Sequence, residues 1–157
     1  MTPDEDPGAM ARRIVDAIMY MTLATADDEG RPWASPVWYA PATSTEFLWV
    51  SESDARHSRN LAICREVGIV IFDSTVPIGA AEGVYLEAVA EELTGGELDR
   101  AIAIYSGRSK DVGAREWTLG DVSPPARFRL YRAIASAAFV LGPNDRRVAV
   151  SLEPLTQ

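Results

Sequence analysis

Seven short runs of strand-forming residues follow one another along most of this chain, and they limit what it can fold into. Turn-forming residues separate some of them, as in Asp27-Asp28-Glu29-Gly30 and Gly142-Pro143-Asn144-Asp145. Short connections and few helices favour antiparallel neighbours over βαβ units, so the pattern predicts a mainly β (α+β) domain, built as a closed or partly closed barrel. The predicted strands cover residues 20–26, 31–40, 46–51, 67–73, 83–93, 127–141 and 146–152.

Two of these strands carry information about their surroundings in the sheet. Pro32 and Pro36 cannot donate backbone hydrogen bonds, so part of the strand over 31–40 is expected at an edge or a bulge. Residues 67–73 are almost entirely apolar over a short run, which is typical of a strand buried on both faces. The sequence thus predicts one edge strand and one fully buried strand.

The chain is expected to start as a flexible segment and then to form a helix. Residues 1–7 are polar, so we expect them to be flexible. Asp6 has the side chain of an N-cap, and Pro7 suits the first helical position because its missing N–H costs nothing there. Apolar residues then recur at helical spacing, which predicts a helix that ends near Met19.

Two further helices are predicted between strands. One covers about 54–65, with Ser53 or Asp54 as its N-cap. The other begins after Thr94, which could form a capping box with Glu97. Its apolar face is formed by Leu98, Ala101, Ile102 and Tyr105.

Length and charge narrow the class of protein. A chain of 157 residues corresponds to a single domain, 1–157. With 15 basic and 23 acidic residues the net charge is -8, which argues against a nucleic-acid partner. Cys64 is the only cysteine and His57 the only histidine, so a disulfide framework or closed transition-metal site is not expected. No apolar run is long enough to span a membrane and the first residues are acidic, so we expect a cytoplasmic protein without a membrane partner.

Several common catalytic motifs are absent from the sequence. Neither of the glycine-rich phosphate-binding patterns, G-x-G-x-x-G after a strand or G-x-x-x-x-G-K, occurs, and the G-x-S-x-G nucleophile motif is missing as well. A serine–histidine–acid triad could use only His57, whose serine and acid neighbours are crowded in sequence. The catalytic residues are therefore unknown.

A basic turn stands out in this acidic chain. Arg56, His57 and Arg59 cluster at the predicted start of the second helix, although the helix dipole favours negative charge there. A bound anion would reverse that penalty, because free N–H groups, serine hydroxyls and an arginine together form a phosphate site. The alternative is a solvated turn in which Glu52 and Asp54 pair with the two arginines.

Aromatic residues gather immediately before this turn. Five of them lie on the second and third predicted strands, and we expect three to belong to the core. The others could form an apolar wall for a planar ring whose phosphate reaches Arg56. The five are Trp33, Trp38, Tyr39, Phe47 and Trp49.

Taken in order, three stretches resemble the pyridoxamine 5'-phosphate oxidase-like flavin-binding split-barrel proteins. They are LATADDEGRPWASPVWYA, FLWVSESDARHSRNLAICREVGIVIFD and GVYLEAVAEEL, and RLYRA at 129–133 extends the similarity. The resemblance implies an antiparallel split β-barrel of six to seven strands with two to four flanking helices. It also implies a homodimer that holds flavin mononucleotide (FMN) at its interface, although some relatives bind a deazaflavin and a few bind haem.

The resemblance assigns cofactor contacts residue by residue. It places one group along the flavin ring, with backbone atoms on the polar edge of the ring, and a second group around the ribityl phosphate. Two further residues would reach the flavin from the partner subunit. The ring group is Ser35, Pro36, Val37 and Trp38; the phosphate group is Ser51, Arg56, His57, Ser58 and Asn60; the two partner residues are Trp117 and Arg129.

One departure from the family limits the choice of substrate. The oxidase that makes pyridoxal phosphate carries a C-terminal R-x-H pair for its substrate, whereas His57 is the only histidine here. The resemblance therefore implies an FMN-dependent oxidoreductase acting on another small molecule. A deazaflavin-dependent reductase, a non-enzymatic flavin carrier or sensor and a haem-binding barrel remain the alternatives.

Overall fold

The computed structural model describes residues 5–152. Its α-helices are α1 (Pro7–Ala17), α2 (Arg56–Ile63) and α3 (Gly95–Asp111). Its strands are β1 (Tyr20–Ala26), β2 (Pro32–Trp38), β3 (Ala40–Pro41), β4 (Glu46–Glu52), β5 (Glu66–Phe72), β6 (Gly83–Glu92), β7 (Phe128–Leu141) and β8 (Arg147–Val150). Short 3-10 turns lie at Leu119–Val122 and Pro143–Asp145. No helix within 5–152 is long and apolar enough to cross a membrane.

A single residue joins the two ends of the sheet. The described strands form one antiparallel sheet in the order β2-β1-β5-β6-β7-β4-β3, and β8 pairs with β7. Only Tyr39 separates β2 from β3, yet these strands lie at opposite ends of the order. The sheet therefore curls until β2 contacts β4. This confirms the predicted mainly β, antiparallel split barrel with two to four helices.

The strand predicted over 31–40 is wrong in one respect, because Tyr39 divides it. Its first part, β2, is an edge strand paired with β1, as Pro32 and Pro36 predicted. After Tyr39 the chain pairs with β4 instead. The residue pattern is continuous across this break, so the sequence alone merges β2 and β3 into one strand.

The first helix begins as predicted. The Asp6 carboxylate accepts a hydrogen bond from the Ala9 N–H at 2.9 Å, and Pro7 is the first helical residue. Residues 1–4, part of the segment expected to be flexible, lie outside the described residues. The helix buries Met10 and Ile14 in the barrel interior and packs against β5, β6, β7 and β8.

The other two helices start without the predicted side-chain caps. The N-cap of α2 is Ala55, not Ser53 or Asp54, and no side chain accepts a hydrogen bond from its first turn. Thr94 is the N-cap residue of α3, but its hydroxyl makes no capping bond. The following Gly95 has a φ of 62°, and this left-handed conformation takes the chain away from the capping-box geometry.

The outer face of the sheet is covered only in part. α3 packs Leu98, Ala101 and Ile102 against the β4 and β7 side of the sheet. At one corner of the outer face, Trp38 of β2 packs against Tyr105 of α3, but among residues 5–152 the rest of the outer face of β2, β1 and β5 is largely exposed. The prediction that residues 67–73 are buried on both faces is therefore wrong. In β5 the burial alternates, with Ile69 and Ile71 turned inward and Phe72 45% exposed.

A buried arginine ties α3 to the sheet. Arg132 of β7 is only 7% exposed and forms ion pairs with three carboxylates. Its guanidinium lies 3.1 Å from Glu97 of α3 and 3.5 Å from Glu46 of β4, and it also pairs with Glu91 of β6. Removing this cation would leave three neighbouring acids without their common partner.

We predict that Arg132→Met lowers the free energy of unfolding by about 3 kcal/mol, because the acids would repel one another beside a buried apolar side chain. The control is Arg31→Met, whose partner Glu29 is 2.7 Å away in a fully exposed pair, and it should change stability by less than about 1 kcal/mol. Urea denaturation of the three proteins measures both values. Equal losses in the two variants would contradict a structural role for the Arg132 network.

Candidate functional site

Buried polar side chains concentrate around the start of α2. Of the seven buried polar or charged residues found within 5–152, five lie here. Burial of polar groups costs free energy unless each is satisfied, so such a concentration is typical of a site that binds something polar. The five are Thr25 of β1, Ser51 of β4, and His57, Ser58 and Asn60 of α2.

Contacts with the β1–β2 hairpin hold α2 in place. Its eight residues are too few to form a stable helix alone, so tertiary contacts must fix it. Asn60 Nδ2 donates a hydrogen bond of 3.0 Å to Thr25 Oγ1, and Thr25 in turn lies 3.5 Å from the Trp33 carbonyl oxygen. The Arg56 guanidinium lies over the Trp33 ring, 4.3 Å from its centroid. The first turn of α2 therefore faces β2.

A second contact joins α2 to the other end of the sheet. His57 Nε2 and Ser51 Oγ lie 2.8 Å apart in a buried hydrogen bond. Burial lowers the pKa of His57, so the imidazole is uncharged at pH 7. His57 thus positions the turn, and the positive charge there comes from arginine.

The first turn of α2 is open to an anion. No side chain caps its N–H groups, and Arg56 forms no ion pair with the acids in 5–152. Glu52 pairs instead with Arg127 at 3.1 Å, and Arg59 donates to the backbone oxygen of Asp54. The alternative in which Glu52 and Asp54 carboxylates neutralise the two arginines does not occur.

The acid whose pKa the Arg56 charge lowers is already hydrogen-bonded elsewhere. Asp27, in the β1–β2 turn, has a lowered pKa, caused mainly by hydrogen bonds from backbone N–H groups and to a smaller extent by the Arg56 charge. Its Oδ1 accepts from the N–H groups of Glu29 and Arg31, each at 2.9 Å. Arg56 therefore keeps its charge available for a ligand.

Two side chains of this region were not found from the sequence. Thr25 anchors α2, and nothing in its sequence context marks it. Tyr131 lies in the noted RLYRA stretch, stacks on Trp49 at 5.7 Å and has its pKa raised by burial. The Ser58 hydroxyl lies close enough to Tyr131 to offset part of that rise, but the geometry does not reach that of a regular hydrogen bond.

The four residues expected along a flavin ring lie on two faces of β2. Strand alternation puts Ser35 and Val37 on one face and Pro36 and Trp38 on the other. Val37 is buried, Pro36 is exposed, and Trp38 packs edge-on against Tyr105 at 5.0 Å. Because β2 is an edge strand, its outer backbone groups have no strand partner and can meet a ligand.

The two residues expected to act from a partner subunit lie on opposite faces of the sheet. Arg129 lies opposite Ser51 in the β4–β7 register, on the same face as the α2 cluster, 4.0 Å from Glu92. Trp117 follows α3 on the other face, where it packs against Tyr105 and Phe128. Of the five aromatic residues noted from the sequence, Tyr39, Phe47 and Trp49 are core as expected, and Trp33 is 40% exposed.

No metal centre accompanies these groups. Across the described part of the chain, no three His, Cys, Asp or Glu side chains come together as ligands would. What the site offers is an arginine, open helix N–H groups, hydroxyls and an exposed indole. That set suits an anion attached to a planar ring.

Solved structures share this fold. A haem-binding protein from Mycobacterium smegmatis is 26% identical with a TM-score of 0.73, covering 94% of this chain. The chain spans only 58% of the length of that protein. The haem storage protein HutZ from Vibrio cholerae is 21% identical, with a TM-score of 0.64, 82% of this chain and 90% of that one covered.

A third structure is a protein from Clostridium acetobutylicum related to general stress protein 26 of B. subtilis, of the pyridoxinephosphate oxidase family. It is 11% identical with a TM-score of 0.66, and the match covers 92% of this chain and 94% of that one. No curated protein matches this chain. Residues 9–134 match the family described as pyridoxamine 5'-phosphate oxidase, which is most of the chain. The chain therefore belongs to the pyridoxamine 5'-phosphate oxidase family.

Proposed function

We propose that this protein is an FMN-dependent oxidoreductase that acts on a small molecule other than pyridoxamine phosphate. The observation that carries the proposal is the first turn of α2, where uncapped N–H groups lie beside an arginine that pairs with no acid of the described residues. A phosphate group supplies what this turn lacks, since it accepts hydrogen bonds and carries negative charge. Family membership supports the same cofactor class.

The residues present fit a ribityl phosphate. Arg56 would pair with its oxygens, and the N–H groups of the first turn would donate to them. Ser51 and His57 would hold the turn in place through their 2.8 Å hydrogen bond, while Asn60 anchors the helix on Thr25. Ser58 is 2% exposed, and its hydroxyl forms no regular hydrogen bond among the described residues. This hydroxyl would be available to hydrogen-bond to the phosphate.

The ring would lie along the edge of the barrel. The exposed Trp33 and the unpaired backbone edge of β2 offer an apolar surface and hydrogen-bonding groups side by side. The bound flavin would supply the hydride chemistry, and the protein would orient the ring and exclude side reactions.

The alternatives use parts of the same site. A deazaflavin carries the same phosphate, and a carrier or sensor would bind flavin without turnover. Haem is bound by two of the structural neighbours. Here, however, the only imidazole is 8% exposed and engaged with Ser51, so it is poorly placed as an iron ligand.

We propose further that the working unit is a homodimer joined through the uncovered outer face of β2, β1 and β5. In register across these strands lie Ala34, Ala24 and Gly68, small residues that permit close approach. Phe72 and Tyr20 are 45% and 58% exposed at its margins. α1 cannot shield this face, because it packs on the inner side of the sheet. An isologous contact would bury it on both subunits.

We predict that Arg56 contributes to the affinity for the phosphate of FMN. Arg56→Ala should weaken FMN binding about 10- to 100-fold, the equivalent of losing one hydrogen bond to a charged group, and should leave riboflavin binding unchanged. Quenching of flavin fluorescence in equilibrium titrations measures both. Lys110→Ala removes the same charge far from α2, where Lys110 pairs with Glu116, and should change neither value. Equal wild-type affinity for FMN and riboflavin would refute the phosphate site.

We predict that pyridoxamine phosphate and pyridoxine phosphate are not substrates. FMN-loaded protein should not oxidise pyridoxamine phosphate or pyridoxine phosphate at an appreciable rate, since the C-terminal R-x-H pair is missing from this sequence. Oxygen consumption with each compound tests it, with free FMN as the blank. Sustained turnover of either compound would overturn the claim that the substrate differs.

We predict that the protein is a dimer in solution. Light scattering should give twice the chain mass of 17.1 kDa at micromolar concentration. Thr22→Arg, on the outer face of β1 opposite Val70, should yield monomers because two like charges would meet across the two-fold axis. Asp99→Arg, on the exposed side of α3, is the control and should stay dimeric. A wild-type mass near one chain would rule out the dimer.

A further inference from the structure

A recess lies between α1 and the sheet, and no residue of the α2 cluster lines it. It is a cavity of about 470 Å³ between α1 and the inner face of the sheet, and we call it the α1 cavity. That volume is within the range of ligand pockets. Its wall is mainly apolar and includes Ala11, Val15, Phe47, Val84, Leu86 and Ala138. None of the residues assigned to the cofactor site lines it.

The side of α1 that faces the cavity carries short apolar side chains. Met10 and Ile14 fill the core beneath one face of the helix, whereas Ala11 and Val15 line the cavity. The recess is partly open to solvent, and apolar surface of this extent is typical of a ligand-binding groove. The shape therefore indicates an apolar ligand.

The cation at the rim of the cavity forms no ion pair among residues 5–152. Arg13 of α1 is saturated, since it pairs with Glu5 at 3.1 Å and with Glu82 at 2.9 Å. Its neighbour Arg12 lines the cavity and forms no ion pair with any acid in 5–152. Asp16, one turn further, is the acid at the same rim. An apolar wall beneath a free guanidinium is complementary to an amphiphile with an anionic head.

We propose that the α1 cavity binds a medium-chain aliphatic carboxylate, with its chain against the apolar wall and its carboxylate on Arg12. This inference is independent of the flavin proposal, because the two sites share no residue. Titration calorimetry with decanoate tests it. Decanoate should bind about tenfold more tightly than octanoate, because each buried CH₂ adds to the affinity. Decanol and decylamine, which lack the anionic head, should bind at least tenfold more weakly than decanoate.

Matched variants distinguish the contribution of the ligand's anionic head group from that of the cavity's apolar wall. Arg12→Gln should remove the preference for decanoate over decanol, and Arg12→Lys should keep it. Ala11→Leu, which fills the cavity from a helical position, should weaken decanoate and decanol alike. The far-ultraviolet circular dichroism spectrum, measured in parallel, should match that of the wild type in all three variants and so report that the fold is intact.

Three results would overturn the proposal. Decylamine binding as tightly as decanoate would make Asp16 the head-group partner. Failure of decanoate to bind the wild-type chain and the Leu155→Asp variant would mean that the cavity takes no such ligand. Binding to Leu155→Asp alone would mean that residues 153–157, which follow the cavity-lining Leu152, compete for the site from within the chain.

Discussion

The passage of the chain through Tyr39 is the constraint on which the rest of the structure depends. This one residue connects the two ends of the sheet, so the sheet must curl until its edges meet. Tyr39 is 2% exposed, its ring packs against Phe47 at 5.9 Å, and its hydroxyl donates to the Val15 carbonyl at 2.7 Å. The same side chain thus closes the barrel and fixes α1 across its interior.

The candidate cofactor site follows from that closure. α2 holds Thr25 and Trp33 at one end of the sheet order and Ser51 at the other. A flat sheet would keep these strands far apart, and a helix of eight residues could not contact both. Closure brings them to the same helix, whose uncapped first turn then faces the exposed indole. The site is therefore a product of the topology as much as of the local sequence.

Residue patterns predicted the strands well because period-two burial and turn residues are local signals. They could not reveal the break at Tyr39, since strand-forming residues run through it and only the pairing with β4 interrupts them. The double burial expected of β5 failed for a related reason: composition records that a face is apolar but not whether a helix covers it. The sequence singled out Arg56 and His57 as candidate phosphate-site residues, but the pKa of His57 is lowered by burial, which the sequence does not specify.

The central claim is that the first turn of α2 binds the phosphate of FMN. The absorption spectrum of the protein, titrated in parallel with FMN, a deazaflavin cofactor and haem, tests this claim most directly. If the phosphate site is correct, the flavin bands shift and saturate at one FMN per chain, while haem causes no stoichiometric change. Saturation by haem at one equivalent, with the FMN spectrum remaining that of the free cofactor, would contradict it.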